Sequence, residues 1–381
     1  MQIAAPAAIL PFRRPGRPPG PILLSPPELT GAEGAEFQAL LDSGWLAPAG
    51  PTLERFEAAV GAAAGFGHVL ATASATAALS LAFRVLGVAP GDEVWAPTLT
   101  FVATIAPAVQ LGATPRFLDV DPAHWTLDPG LLDAELAAAA RRGRLPRCVV
   151  SVDLYGQPAD IPALRRACDR WGVPLVSDSA CALGAAQHGG PAGQGATLAV
   201  LSFNGNKIVT AGGGGALLSA DAALVARARH LATQAREKAA HYEHLELGSN
   251  LAMSAVLAAV GLAQLPALEA RVAARRALHA RYRRALPGFG WQEEPAWARS
   301  SRWLSVLLAE DRERLRLALA AAGIESRPAW KPMHLQPAFR GAPCAGGAVA
   351  TEVFARGLCL PSGGAMTERE VARVVAAIAA A

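Results

Sequence analysis

The sequence is poor in charged residues, in aromatic residues and in cysteines that could pair. Charged residues make up 17% of the 381 positions and aromatic residues 6%, whereas 52% are apolar. A chain with this much apolar material can bury a core, which excludes disorder as its overall state. The net charge of +4 is small for the length, so the composition gives no indication of a nucleic-acid partner.

The cysteines also exclude several classes of protein. The five cysteines form no CxxC pair and have no metal-ligand spacing to histidine, so no metal site is predicted. Their odd number, without a secretory signal pattern, predicts reduced thiols in a cytoplasmic protein. Residues 1–20 carry a short apolar patch ahead of their arginines, the wrong order for a signal peptide, and we expect a frayed leader there.

One long stretch lacks charge altogether. Leu251–Leu268 has no charged residue over 18 positions, close to the ~20 residues that a membrane span requires. The stretch contains Ser254, Gln264 and Pro266, and alanine dominates where lipid-facing helices favour leucine, isoleucine or valine. We therefore expect a buried helix of a soluble protein and no membrane partner.

Apolar strand-like runs alternate with helix-like stretches between residues 50 and 215. The predicted strands are His68–Ala71, Glu93–Ala96, Pro115–Asp119, Cys148–Val152, Leu175–Asp178 and Leu198–Phe203. The predicted helices between them include Thr52–Ala64, Ala75–Leu86, Pro129–Arg142 and Ile161–Trp171. This alternation predicts an α/β fold with a mostly parallel sheet covered on both faces, which binds ligands at the turns after its strands.

The rest of the chain predicts further helices and a second, smaller domain. The helices are expected near Asp221–Thr233, over the uncharged run and over Leu268–Leu286, and the tail from Pro287 mixes short strands with helices. At ~100–200 residues per domain, the length suggests two domains, or one large domain with an appendage. We place the leader and the large α/β domain at residues 1–265, and a linking helix with a smaller α+β domain at residues 266–381.

A lysine lies between an apolar strand and a run of glycines. Lys207 follows Ser202–Asn206 and precedes Gly212–Gly215, with no charged residue beside it. Most lysines are solvated surface charges, but a desolvated lysine can serve as the nucleophilic amine of Schiff-base chemistry. Glycines allow the backbone to approach a ligand closely.

A buried strand ends in an acid about thirty residues before Lys207. Taken alone, Asp178 could simply cap a helix. Together with Lys207, it could instead hold the protonated nitrogen of a heterocycle. A lysine and a strand-end aspartate form the pair that pyridoxal phosphate requires, since one binds the aldehyde and the other keeps the pyridine nitrogen cationic.

A phosphate also needs a binding turn. Ala73–Leu79 lies where a predicted strand passes into a helix, and the free N–H groups of a helix start favour an anion. An ordinary serine or threonine cap would explain this segment taken alone. Beside Lys207 and Asp178, it is a candidate phosphate turn.

At this point several motifs resemble a known family. The segments Glu93–Thr104, Leu154–Ile161, Ser177–Ala185 and Ser202–Gly215 resemble the DegT/DnrJ/EryC1/StrS family of pyridoxal phosphate-dependent sugar aminotransferases. The segments Ile22–Pro51, Thr233–Gly248, Glu325–Phe339 and Gly357–Gly363 resemble its branch of bacillosamine-type and EpsN-like enzymes, which aminate UDP-4-keto-6-deoxy-GlcNAc. The resemblance implies the aspartate-aminotransferase-like fold, fold type I.

The resemblance also implies roles for the residues around the cofactor ring. Lys207 binds the cofactor aldehyde and later moves a proton, and Asp178 partners the pyridine nitrogen. Phe101 stacks on the ring, and Cys181 lies near the ring oxygen. These roles make Lys207 and Asp178 the expected catalytic residues.

Further residues are implied for the phosphate and the partner subunit. Thr76, the amides of Ala75 and Thr76, and the hydroxyl of Ser202 hold the phosphate. Asn250 matches a family asparagine that reaches the cofactor phosphate of the other subunit, so the resemblance implies a homodimer with active sites at its interface.

A third group of residues is implied for substrate binding. Trp330, Lys331 and His334 lie in the segment that faces the nucleotide sugar in the family. For a tail histidine taken alone, an ordinary surface position is the simpler interpretation. The expected substrates are a nucleotide-linked ketosugar and an amino donor, glutamate.

The sequence departs from the family pattern at several positions. Ala75 stands where the family has glycine, Cys181 where it has Gln, Glu or His, Ser177 where it has Glu, and Asp153 where it has His. Ser249–Ala252 replaces a Tyr-Asn-Tyr-Arg segment. These changes leave cofactor attachment in place and leave the substrate and the turnover rate open.

The resulting hypothesis is a transaminase that acts in two half-reactions. It moves an amino group from glutamate to the C4 ketone of UDP-4-keto-6-deoxy-GlcNAc, for polysaccharide or glycan biosynthesis. One alternative is the same chemistry on a GDP- or dTDP-linked ketosugar. The other is a regulatory or scaffold protein that binds pyridoxal phosphate with little catalysis, which the altered Cys181 and Ser249–Ala252 positions keep open.

Overall fold

The computed structural model describes residues 20–381, so nearly all of the predicted leader lies outside the described residues. Within that range the strands are β1 His68–Thr72, β2 Glu93–Pro97, β3 Thr114–Leu118, β4 Cys148–Val152, β5 Leu175–Asp178, β6 Ala186–Gln187, β7 Gly190–Pro191, β8 Leu198–Ser202, β9 Gly215–Ser219, β10 Gly290–Trp291, β11 Ala298–Arg299, β12 Ser305–Leu308, β13 Arg327–Pro328, β14 Cys344–Ala345 and β15 Gly357–Leu360. The helices are α1 Glu33–Ser43, α2 Pro51–Ala64, α3 Ala75–Val85, α4 Ala106–Gln110, α5 Pro129–Arg141, α6 Ile161–Asp169, α7 Ala222–Ala232, α8 Ala255–Gln264, α9 Leu268–Ala285, α10 Arg312–Ala321, α11 Ala348–Arg356 and α12 Glu368–Ala379.

The largest sheet has eight strands in the order β1-β9-β8-β5-β4-β2-β3-β14. The neighbours from β8 to β14 run parallel, and only β9 is antiparallel to the strands beside it. The predicted mostly parallel sheet is therefore confirmed. Because parallel strands end at the same edge, the turns after β2, β4, β5 and β8 are brought together there.

Both faces of this sheet are covered, as its apolar strands require. All five residues of β4 are buried, and alternate side chains enter different cores. Cys148 and Val150 pack in a core with α3 and α7, while Val149 packs with α5 and α6 on the other face. A strand buried on both faces is a continuous apolar run, which is the pattern seen in its sequence.

The predicted helices and strands of the large domain are present within a few residues of their expected bounds. Several elements were not predicted, among them the short elements α4, β6 and β7 and two longer ones. Strand β9 begins inside the glycine run, at Gly215, and α1 occupies Glu33–Ser43. Glycine and short polar stretches weaken the pattern of a strand or a helix, which explains both omissions.

A smaller unit lies in the carboxyl-terminal part. Its antiparallel sheet has the order β10-β12-β15-β13, and its core joins side chains of α9, α10 and α12. Strand β14 belongs instead to the large sheet, where it pairs in parallel with β3. The boundary between residues 265 and 266 stays a prediction.

The uncharged run forms α8 and a short 3₁₀ turn that leads into α9. By length and composition, Ala255–Ala285 could cross a membrane, but half of its apolar window is buried within the protein. Gly261 of α8 lies so close to Phe56 of α2 that an added Cβ would come within 2.4 Å of that ring. The run is thus used in packing against other helices.

Candidate active site

The ends of neighbouring strands β5 and β8 bring the predicted catalytic residues into one region. Asp178 is the last residue of β5 and lies opposite Val200 of β8. Lys207 follows β8 in a turn where its N–H donates to the carbonyl of Asn204 at 3.0 Å. Lys207 Nζ donates to Cys181 Sγ at 3.1 Å, which joins the segments that follow β5 and β8.

The carboxylate of Asp178 is buried and held by hydrogen bonds. Thr104 Oγ1 donates to Oδ2 at 2.7 Å, and the Ala180 N–H donates to Oδ1 at 3.2 Å. Burial raises the pKa of Asp178, while these two hydrogen bonds and the charge of Lys207 oppose the shift. A buried carboxylate is best stabilised by a cation, and a protonated ring nitrogen would be one.

A second buried acid lies beside Asp178. The backbone N–H of Asp153 donates to the Asp178 carbonyl at 3.0 Å, and its own Oδ1 accepts from Ala159 N–H at 2.8 Å. Burial raises the pKa of Asp153 to about 7, and the nearby charge of Asp178 adds to the rise. The carboxyl groups of Asp153 and Asp178 thus lie close together. Asp153 is one of the positions at which the sequence departs from the family pattern, which has histidine there.

The predicted phosphate turn begins α3. Ser74 caps the helix by accepting from Ala77 N–H at 3.0 Å. The other N–H groups of a first turn have no acceptor within the helix, so they can bind an anion. Thr76 is exposed and Ala75 is half-buried at this end of the helix.

Gly215 holds the phosphate turn against β8. In the sheet, Gly215 lies opposite Ser202 of β8, and an added Cβ on Gly215 would come within 2.4 Å of Ala75 N. Only a glycine fits this approach. The predicted phosphate residues Ser202 and Ala75 therefore lie on either side of one glycine.

A cluster of aromatic side chains reaches the lysine through Trp303. The ring of Trp330 lies 4.8 Å from that of Tyr155, 5.7 Å from that of Phe101 and 6.2 Å from that of Trp303, centroid to centroid. Lys207 Nζ lies 3.9 Å from the centroid of the Trp303 ring. Phe101 is 54% exposed, so one side of this aromatic cluster is open to a ligand.

Of the three predicted substrate residues, Trp330 belongs to this aromatic cluster. His334 lies outside this cluster, between the end of β2 and α11: its Nδ1 is 2.6 Å from Thr98 Oγ1 and its Nε2 is 3.3 Å from Thr351 Oγ1. Burial lowers the pKa of His334. Lys331 is half-buried beside Trp330. Contact of these residues with a substrate stays a prediction.

Asn250 is exposed and lies near the phosphate turn of its own chain. It forms a bridge with Thr233, and the next residue, Leu251, accepts from Ala73 N–H at 2.8 Å. An exposed side chain at this place is compatible with contact to a second subunit. The reach of Asn250 to a partner's phosphate stays a prediction.

The site contains residues to which sequence reasoning gave no role. Thr104 lies in the segment Glu93–Thr104 that resembles the family. That segment contains several threonine hydroxyls, and the sequence does not show which of them contacts Asp178. Tyr155, whose hydroxyl accepts from Trp330 N–H at 2.8 Å, also lies in a quoted motif. Trp303 lies in no quoted motif, and only the folded chain brings it to Lys207.

The arrangement as a whole fits pyridoxal phosphate. An amine for the aldehyde, a buried acid for the ring nitrogen and an anion-binding helix start open onto the same edge of the sheet. Their spacing depends on β5 and β8 of the large sheet and on α3, which packs against it. The lysine, the acid and the start of α3 thus lie at one edge of the sheet, where a single ligand can contact all three.

Known proteins support the same assignment. Residues 27–379 match the DegT/DnrJ/EryC1/StrS aminotransferase family. Over 364 residues, 93% of this chain, it is 42% identical to a Bacillus subtilis protein named as the pyridoxal phosphate-dependent aminotransferase EpsN, and covers 94% of that protein. It is 32% identical to the GDP-perosamine synthase of Caulobacter vibrioides, with 94% and 97% of the two chains covered. Its identity to dTDP-3-amino-3,4,6-trideoxy-alpha-D-glucose transaminase of Streptomyces venezuelae is 35%, with 92% of each covered.

Solved structures agree with these relatives. A DegT DnrJ EryC1 StrS aminotransferase from Brucella abortus superposes with a TM-score of 0.87 at 30% identity, covering 91% of this chain and 94% of that one. S. venezuelae DesV, solved with a ketimine intermediate, gives a TM-score of 0.85 at 32% identity, covering 95% and 98%. The predicted fold type I, transaminase class and cofactor are confirmed. The chain belongs to the DegT/DnrJ/EryC1/StrS aminotransferase family and is a pyridoxal phosphate-dependent enzyme.

Proposed function

We propose that this enzyme transfers an amino group from glutamate to the C4 ketone of a nucleotide-linked 4-keto-6-deoxy sugar, with UDP-4-keto-6-deoxy-GlcNAc as the first candidate. The product would be an amino sugar nucleotide for polysaccharide or glycan biosynthesis in the cytoplasm. The observation that carries the proposal is that Asp178 ends β5 and Lys207 follows the neighbouring strand β8, with Lys207 Nζ only 3.1 Å from Cys181 Sγ in the segment after Asp178. The 42% identity to EpsN supports the assignment to the EpsN-like branch of the family.

Each catalytic residue has a task in this reaction. Pyridoxal phosphate, when bound, carries the amino group and withdraws electrons from the carbon that loses a proton. Lys207 would bind the aldehyde covalently, and its amine, once freed, would move the proton to and from the reacting carbon. Asp178 would keep a proton on the ring nitrogen, and the hydrogen bond from Thr104 would orient the Asp178 carboxylate and favour its charged form.

The remaining predicted residues would position the ligands. The amides of Ala75 and Thr76, with the side chains of Thr76 and Ser202, would bind the phosphate. Phe101 would stack on the ring, and Cys181 would lie at the ring oxygen, where its thiol is a weak hydrogen-bond partner. Burial raises the pKa of Cys181, so it would act there as a neutral thiol.

The sugar nucleotide would enter over the open side of the aromatic cluster. We assign its binding to Trp330, Lys331 and His334, with Lys331 as the positive charge for a diphosphate. The relatives named for GDP- and dTDP-linked sugars are 32% and 35% identical to this chain. Ketosugars linked to GDP or to dTDP are therefore the alternative substrates. The base and the stereochemistry of the sugar must therefore be decided by assay.

We further propose a homodimer in which Asn250 completes the partner's phosphate site. Tyr242, Leu245 and Leu247 lie in the segment before Asn250 and are 81%, 78% and 87% exposed in the single chain. Large apolar side chains grouped on a surface are typical of an interface. Light scattering should give twice the chain mass of 39.3 kDa, and Leu245→Glu should lower it towards the single-chain value.

The first experiment is an absorbance spectrum of the purified enzyme with pyridoxal phosphate, before and after glutamate. We expect the band of the lysine-bound cofactor to be replaced by that of pyridoxamine phosphate. Lys207→Ala should show neither the initial band nor turnover. A Lys207→Ala protein that keeps both would overturn the assignment of the lysine.

The second experiment identifies the sugar. The glutamate-treated enzyme, freed of excess donor, is mixed with UDP-, GDP- and dTDP-linked 4-keto-6-deoxy sugars. Return of the initial band and formation of an amino sugar by mass spectrometry should be fastest with UDP-4-keto-6-deoxy-GlcNAc. A faster return with a GDP or dTDP sugar would replace our candidate, and no return with any of them would favour a binding protein with little catalysis.

A further inference from the structure

Trp303 is fixed beside the catalytic lysine from two directions. Its indole Nε1 donates to the carbonyl of Asn206 at 2.7 Å, and Asn206 is the residue before Lys207. Its own carbonyl accepts from Arg275 Nη1 at 2.8 Å, and the side chain is buried. The ring therefore cannot leave the turn of Lys207 without breaking a hydrogen bond.

The face of this ring lies against the Lys207 amine. Nζ lies 3.9 Å from the ring centroid, well within the ~6 Å range of a cation–π interaction. The other contact of Nζ is the Cys181 thiol at 3.1 Å. Among residues 20–381, no carboxylate forms an ion pair with Lys207. The charge of Asp178 acts on Lys207 only from beyond ion-pair distance. A half-buried ammonium without a carboxylate in direct contact is stabilised by an aromatic face.

We propose that Trp303 is a positioning residue that holds the ammonium form of Lys207 over its ring whenever this lysine is not bonded to the cofactor aldehyde. The inference rests on the proposed function, in which the donor amine displaces Lys207 once in each cycle. The released side chain has four flexible bonds and would otherwise move towards water. Held on the ring, the ammonium stays close to the carbon to which it must give its proton, and the neutral amine that remains is placed to reattach to the cofactor aldehyde.

The contact can be tested by NMR on the cofactor-free protein. The sequence contains only three lysines, Lys207, Lys238 and Lys331, so a protein labelled with ¹³C at lysine Cε gives three cross-peaks. Protons above an aromatic face resonate upfield of their ordinary position. We expect one lysine Hε signal to be displaced upfield, and Lys207→Met should remove that signal. A wild-type spectrum without a displaced Lys207 signal would overturn the inference.

Variants then separate the ring from the other contacts. Trp303→Phe, which keeps a smaller aromatic face, should retain part of the upfield shift, and Trp303→Leu should abolish it. Trp330→Leu, which removes a neighbouring ring, and Cys181→Ala, which removes the thiol, should both retain it. Loss of the shift in Cys181→Ala with retention in Trp303→Leu would assign the lysine to the thiol and overturn the proposal. Should Trp303→Leu fail to fold, the upfield shift of the Lys207 signal in the wild type and its reduction in Trp303→Phe still test the proposal.

The experiment distinguishes this inference from the proposed function. Addition of pyridoxal phosphate to the same sample should move the Lys207 signal and produce visible absorbance. Visible absorbance with no initial upfield shift would overturn the role of Trp303 and leave the lysine assignment intact. An upfield shift without absorbance would contradict the proposed function, on which the inference rests, and would overturn both.

Discussion

Thr104 Oγ1 donates a 2.7 Å hydrogen bond to Asp178 Oδ2, and both groups are buried. The same hydroxyl lies 2.7 Å from Thr100 Oγ1, so a short chain of hydroxyl groups ends on the carboxylate. Since burial raises the pKa of Asp178, this hydrogen bond is one of the few contacts that favour its charged form. Thr104 therefore supports the group that is proposed to hold the ring nitrogen.

The first prediction concerns Thr104→Val, which keeps the shape of the side chain and removes its hydroxyl. A hydrogen bond to a charged group contributes about 1.5–3 kcal/mol, so kcat should fall roughly ten- to a hundredfold. The cofactor should still bind, because the phosphate turn is untouched. Stopped-flow measurement of the half-reaction with glutamate tests this. Thr100→Val, one hydroxyl further away, is the matched control and should have a smaller effect; equal effects would argue against a direct role of Thr104.

The second prediction concerns Asp178→Asn. The amide is nearly isosteric but cannot stabilise a positive charge on the ring nitrogen, so the rate should fall by roughly two to three orders of magnitude. Absorbance of the bound cofactor and single-turnover kinetics measure binding and rate separately. Ser177→Ala, a change at the preceding buried residue of β5, should leave most of the rate. A near-wild-type Asp178→Asn enzyme would mean that the nitrogen partner lies elsewhere.

Strand ends and motifs made the centre of the site predictable from sequence. Asp178 ends a continuous apolar run and Lys207 follows another, so local pattern alone places both at one sheet edge. Trp303 could not be found in this way, because its contact with Lys207 joins residues almost a hundred positions apart through tertiary packing. The antiparallel strand β9 was also missed, since Gly215 carries no side chain that could show a strand pattern.

The third prediction uses that glycine. A Cβ in Gly215→Ala would lie 2.4 Å from Ala75 N and 2.5 Å from Ser74 C, so the start of α3 must shift. Overpacking of about 1–3 kcal/mol at this place should weaken binding of pyridoxal phosphate roughly tenfold or more. Equilibrium dialysis of the cofactor measures the effect. Gly213→Ala is the control, because its Cβ would meet only Leu257 Cδ1 at 3.8 Å, and it should bind as the wild type does. Equal affinities of the two variants would contradict the proposed phosphate turn.

The fourth prediction concerns the pH dependence of stability in the cofactor-free protein. Burial raises the pKa of Asp153 from 3.8 to about 7 in the folded state. Between these values the folded protein keeps a proton that the unfolded chain has lost, so the contribution of Asp153 to stability falls as the pH rises from about 4 to 7. Below this window the contribution is fully present, and above it the loss is complete. Asp153→Asn cannot titrate and should lack this decline.

Denaturant titrations of both proteins from pH 4 to 8 test the prediction. The free energy of unfolding of Asp153→Asn, relative to the wild type, should rise across this range by up to roughly 4 kcal/mol, the equivalent of the pKa difference. The amide oxygen can still accept the 2.8 Å hydrogen bond from Ala159 N–H, so the fold should persist. Ser177→Ala, a buried change without a titrating group, should displace the wild-type curve without changing its shape. Parallel curves for Asp153→Asn and the wild type would contradict the prediction, because they would mean that folding leaves the pKa of Asp153 unchanged.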